Sequence, residues 1–76
     1  MLAYLYAEDG QIAVTPDQDG TPGITHLAGT AAQLAVLFNE LGITRLICSS
    51  SIDFCEDYGF ERGQAEQIID QAWKGQ

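Results

Sequence analysis

Seventy-six residues, 46% hydrophobic, with eleven acidic against three basic side chains and a formal net charge of -8, describe one small, strongly acidic domain spanning 1–76. The apolar share excludes the disordered class, and the shortage of Lys and Arg argues against direct binding to nucleic acid or to anionic lipid, since both need cations to neutralise phosphate. A chain this short builds a marginal core unless something reinforces it; two cysteines are too few for a disulfide framework, so a homodimer is expected.

The opening Met1–Ala7 run is apolar, but it has no basic segment before it and Glu8-Asp9 cuts it short. No export signal is therefore expected, no stretch has the length of a membrane span, and cysteines kept as thiols suit the cytoplasm.

Leu2 to Ala7 and Gln11 to Thr15 read as two strands joined by Asp9-Gly10, a strong short-range hairpin signal. A two-residue turn there sets Ala7 opposite Ile12 and Leu5 opposite Val14. Ala3, Leu5, Ala7, Ile12 and Val14 then share one face, and Leu2, Tyr4, Tyr6, Ala13 and Thr15 the other, because side chains alternate along a strand.

Pro16 to Gly23 is a loop by composition. Asp17-Gln18-Asp19-Gly20 has the look of a calcium-loop start, but Pro22 and the missing final glutamate rule out an EF-hand. Ile24 to Leu27 is a short third strand.

Thr30-Ala31-Ala32-Gln33 matches a capping box, and the helix it opens carries Leu34, Leu37, Phe38 and Leu41 at core spacing. Gly42 supplies the left-handed residue that closes it, with Ile43 packing back on Phe38. Thr44 to Cys48 is the fourth strand, and the strand–helix–strand passage favours a right-handed crossover with strands three and four parallel. Ser51 would cap a short helix holding Asp53 in its first turn and ending at Gly59. Finally, Ala65, Ile68, Ile69, Ala72 and Trp73 line one side of a C-terminal helix whose Glu66, Gln67, Asp70 and Gln71 point outward.

The expected fold is α+β: a small mixed sheet of about four strands with two main helices, in the order ββ(β)αβα, as a two-layer sandwich. Tyr58-Gly59-Phe60 with Glu61-Arg62-Gly63-Gln64-Ala65 resembles the helix, Gly-Phe loop, helix passage of ubiquitin-associated domains. Those domains are three-helix bundles without strands, so the resemblance implies a shared way of turning between helices and no ubiquitin binding.

Several positions carry polar chemistry. Ser49, Ser50 and Ser51 end an apolar strand, the place where open α/β sheets gather ligands, and would offer hydroxyls to a small anion. There is no P-loop and no nucleophile elbow, and Asp53, Glu56 and Asp57 would repel an anion. His26 is the one histidine; if strands three and four are neighbours it lies near Cys48 and the serines, and a hydrolase-like site would use His26, Ser50 and Asp53. Cys48 reads as a small buried hydrophobe and Cys55 as a thiol dulled by nearby acids. His26, Cys48, Cys55 and Asp53 match no common zinc spacing, and no metal or cofactor is expected.

The remaining candidates are surfaces. Tyr4 and Tyr6, beside Leu2, make a face that is exposed, or buried in an interface, if the helices cover the opposite one; if one of the two helices covers it instead, the domain has three layers. Trp73, Glu66 and Asp70 on the last helix are further interface candidates, the acids suiting a basic protein partner. The expected function is therefore that of a small acidic protein-binding module, regulatory or inhibitory, acting as a cytoplasmic homodimer without catalysis. Anionic-ligand binding at Ser49–Ser51, with His26, and a hydrolase are the alternatives.

Overall fold

The computed structural model describes residues 1–52, 55–61 and 63–74. Its elements run β1 (Leu2–Glu8), β2 (Gln11–Gln18), β3 (Thr21–Pro22), β4 (His26–Ala28), α1 (Ala31–Leu41), β5 (Arg45–Cys48), 3-10 turns at Ser50–Ile52 and Cys55–Tyr58, and α2 (Gln64–Lys74). This is the expected mixed α+β sheet with two helices. β1 lies between β2, antiparallel to it, and β5, parallel to it. β3 and β4 both pair antiparallel with the far side of β2.

The hairpin has the anticipated register. Asp9 and Gly10 both take positive φ, 48° and 75°, the requirement of the tight mirror-image turn, and Ala7 pairs with Ile12 and Leu5 with Val14. Ala3, Leu5, Ala7, Ile12 and Val14 are all buried beneath the helices, with Ala28, Leu34, Phe38, Ala65, Ile69 and Ala72 in the same core. Both helices pack on this one face, giving two layers.

β2 continues three residues past the expected end, through Pro16. The Pro16 carbonyl accepts the Gly23 N–H at 2.7 Å, so the position of its missing N–H faces β3 and the ladder to β1 loses nothing. Asp19 and Gly20, with φ of 53° and 85°, make a second hairpin turn that pairs Gln18 with Thr21. The segment read as loop therefore contains a small hairpin. The third strand, expected at Ile24 to Leu27, starts two residues later and ends one residue later, at His26–Ala28.

One expectation is corrected. β4 and β5 run in the same direction, but they are not neighbours: they flank the β2–β1 hairpin on opposite sides, giving the order β4-β2-β1-β5. The long hairpin strands take the centre, where both sides of a backbone must be paired, and the short strands take the edges.

The helix signals hold. The Thr30 hydroxyl accepts the Gln33 N–H at 3.2 Å, and Gln33 Oε1 reaches back to the Gly29 N–H at 2.8 Å, one residue before the cap. Gly42 closes α1 in the left-handed region, and the Ile43 N–H donates to the Phe38 carbonyl at 2.9 Å. On α2, Glu66, Gln67, Asp70 and Gln71 are exposed as expected. Trp73 meets Phe38 edge to face, with ring centroids 5.4 Å apart. Phe60 is buried at the joint before α2, and Gly59 (φ 91°) ends the preceding turn.

Candidate binding surface

The serine run is engaged in the sheet. The Ser49 N–H donates to the Leu5 carbonyl at 2.8 Å, extending the parallel ladder past β5. Ser51 Oγ then accepts the Ala7 N–H at 2.9 Å, supplying the edge of β1 with a partner beyond the last strand residue. The hydroxyls of Ser49 and Ser51 lie 2.6 Å apart, and Ser49 Oγ accepts the Ser51 N–H at 3.3 Å. Ser49 thus caps the turn at Ser50–Ile52, while the start of the short helix that Ser51 is expected to cap, with Asp53 in its first turn, lies outside the described residues. Ser50 is exposed.

His26 does not join them. Register places His26, Val14, Leu5 and Cys48 in one row across the sheet, from edge to edge. Three strand spacings separate His26 from Cys48, about 14 Å. The grouping of His26 with the serines fails because it required adjacent crossover strands, and the hairpin stands between them. Asp53 and the Cys55 side chain lie outside the described residues, so the parts of the zinc and hydrolase arrangements that use them do too. Among the described residues no three His, Cys, Asp or Glu side chains gather to hold a metal.

Cys48 is exposed, not buried. It falls on the helix-covered side of the sheet, where β5 runs out from under α2, and lines a shallow hollow of about 260 Å³ with Ile52, Glu66, Ile69 and Asp70. Cys48 stands at a sheet edge, and a residue's burial there depends on how far the helix reaches, which periodicity does not encode.

None of the described helices lies on the second face of the sheet. Tyr4 is 41% exposed, Ile47 44% and Leu27 53%. Tyr4 pairs with Ile47 on β5 and with Thr15 on β2; Tyr6 pairs with Ala13, which pairs in turn with Leu27. Ala13 is fully buried between those two larger neighbours. The Thr15 and Thr25 hydroxyls, 2.8 Å apart, satisfy one another on the same side. Tyr4, Tyr6, Leu2, Ile47 and Leu27 together form an apolar surface that crosses the width of the sheet, larger in kind than a scattered exposed side chain.

Leu27 and Ile47 were absent from the sequence-level candidates for this face. The alternation Arg45/Ile47 against Leu46/Cys48 carries the signal, but only the register with β1 says which pair turns outward. The other interface candidates separate from the tyrosines: Trp73, Glu66 and Asp70 sit on α2, in the opposite layer.

Charge divides the same way. By strand alternation the open face bears Glu8, Asp17 and Arg45, leaving the other described acidic residues at turns and on the helical side. Glu56, Asp57, Glu61, Glu66 and Asp70 are all exposed there. No described helix is long and apolar enough to cross a membrane. Comparison with protein-family models, curated proteins and solved structures finds no match for this chain.

Proposed function

We propose that this protein is a small acidic binding module of the cytoplasm that acts as a homodimer, without catalysis, and offers its acidic helical layer to a basic protein partner. The observation that carries this is the open sheet face. Water-exposed tyrosine, leucine and isoleucine side by side on a rigid sheet gain free energy when covered, and Tyr combines a large apolar ring with a polar tip suited to an interface. A core this small also benefits from the added burial.

Among the described residues the face carries two carboxylates and one guanidinium, so it is nearly neutral and two copies meet there without the repulsion that the rest of the surface would impose. The helical side, rich in carboxylates, would steer a basic partner and speed encounter. The alternative of an anion bound at Ser49–Ser51 is less favoured, since the Ser51 hydroxyl already accepts a main-chain N–H and the two serines bond one another.

Sedimentation equilibrium tests the first half directly. A dimer is expected for the natural chain, and Tyr4→Asp, which places a charge at the centre of the face, is expected to give a folded monomer. A natural chain that stays monomeric at high micromolar concentration refutes self-association through this surface.

A further inference from the structure

The open face is not symmetric about its own centre, and that asymmetry predicts how two copies would fit. Leu2 on β1 has Asp17 beside it on β2 and Arg45 beside it on β5, so an acid and a base flank one apolar residue in a single row. A hollow of about 580 Å³ opens at this row, lined by Leu2, Asp17, Asp19, Thr44 and Arg45 among others. Asp17 lines it, and one of its two carboxylate oxygens, Oδ1, makes no hydrogen bond among the described residues. The carboxylate is only part buried and keeps unused acceptor capacity, and a guanidinium is the donor best shaped to meet it.

We infer that the second copy of this chain docks face to face about a two-fold axis lying along β1, so that Arg45 of each copy enters the hollow beside Leu2 of the other and pairs with Asp17. The inference rests on the proposed self-association through this face and specifies its geometry. β2 and β5 are the two immediate neighbours of β1, about equally spaced on either side. Rotation about an axis along β1 therefore lays β5 of one copy over β2 of the other. The same rotation keeps the row unchanged, so Arg45 arrives over Asp17 twice, once in each direction, as an isologous interface demands. It also brings Ile47 over Thr15 and β1 over β1, covering Leu2, Tyr4 and Tyr6. The edge strands are all short, two residues in β3 and three in β4 on one side and four in β5 on the other, so the face rather than an edge offers the contact.

Charge reversal and mixing test the pairing. Asp17→Arg alone and Arg45→Asp alone each create two like-charged contacts in a homodimer, and each is expected to weaken dimerisation at least about tenfold. An equimolar mixture of the two variants restores both contacts. In one, the guanidinium introduced by Asp17→Arg meets the carboxylate introduced by Arg45→Asp; in the other, the unchanged Arg45 of the first chain meets the unchanged Asp17 of the second. Sedimentation should then recover the dimer. A pair formed within one chain is not rescued by mixing. If both variants stay dimeric while Tyr4→Asp dissociates, the face is the interface and the pairing is wrong. If the mixture remains monomeric, with both variants folded by circular dichroism, the pairing is also overturned. A natural chain that is monomeric throughout overturns both the pairing and the self-association. Should a reversed variant lose its fold, Asp17→Asn and Arg45→Gln are compared with the natural chain over a salt series. The expected result is a flatter salt dependence of dimerisation in either variant, and an unchanged slope refutes the pairing.

Discussion

The Ala7 N–H donates to the Ser51 hydroxyl at 2.9 Å, across 44 positions of sequence. β5 ends at Cys48, level with Leu5, and from there a side chain replaces the strand that would otherwise pair with β1. The serine turn is thus an extension of the sheet, made from one hydroxyl and one loop.

Ser51→Ala therefore strands a main-chain donor at the edge of the core. A loss of about 1–3 kcal/mol is expected in urea unfolding. Ser50→Ala, at an exposed neighbour, should stay within about 0.5 kcal/mol of the natural chain. Equal losses for the two would contradict the ladder role of Ser51.

The hairpin tip is held by a close approach of backbone to backbone. The Gly10 N–H donates to the Tyr58 carbonyl at 2.8 Å, and a Cβ on Gly59 would lie 2.6 Å from the Gly10 nitrogen. Gly59→Ala combines that clash with a φ of 91°. At Gly42, φ is 65° and a Cβ would meet nothing within 4 Å, so Gly42→Ala carries the left-handed penalty alone, about 1–2 kcal/mol. Thermal unfolding should rank Gly59→Ala clearly below Gly42→Ala, and the reverse order would mean that the tip moves away at little cost.

Phe38 is fully buried and Trp73 stands edge-on to it at 85°. A double-mutant cycle with Phe38→Leu and Trp73→Leu is expected to give a coupling of about 0.5–1.5 kcal/mol, the range for an aromatic pair beyond its buried area. Additive losses would instead leave Trp73 as a surface residue whose contact with Phe38 is incidental.

Where the sequence was legible, the information was local. Asp9-Gly10 specified the turn, its length specified the register, and alternation then sorted the hairpin side chains into core and open face. Thr30, Gln33 and Gly42 bounded α1 because each makes or permits its bond within a turn of itself. The second Asp-Gly turn, Asp19-Gly20, carried the same signal, but Pro16 and Pro22 around it suggested a loop. Only the side on which the missing N–H of Pro16 falls shows that a strand tolerates it there. The candidate site was readable in half: Leu2, Tyr4 and Tyr6 came from alternation, whereas Leu27, Ile47, Asp17 and Arg45 joined them through pairing between strands distant in sequence.

By itself, the sequence determined the turns, the caps and the apolar side of each helix and hairpin strand, all settled by neighbours a few residues apart. The tertiary structure decided the order of the strands. A helix leaving β4 can deliver β5 beside it or across the sheet with equal local comfort, and the choice falls to the hairpin, whose long central strands need pairing on both sides. That order separates His26 from the serines, turns Ser51 into a ladder partner, and sets Asp17 and Arg45 on either side of Leu2 on a face that no described helix covers.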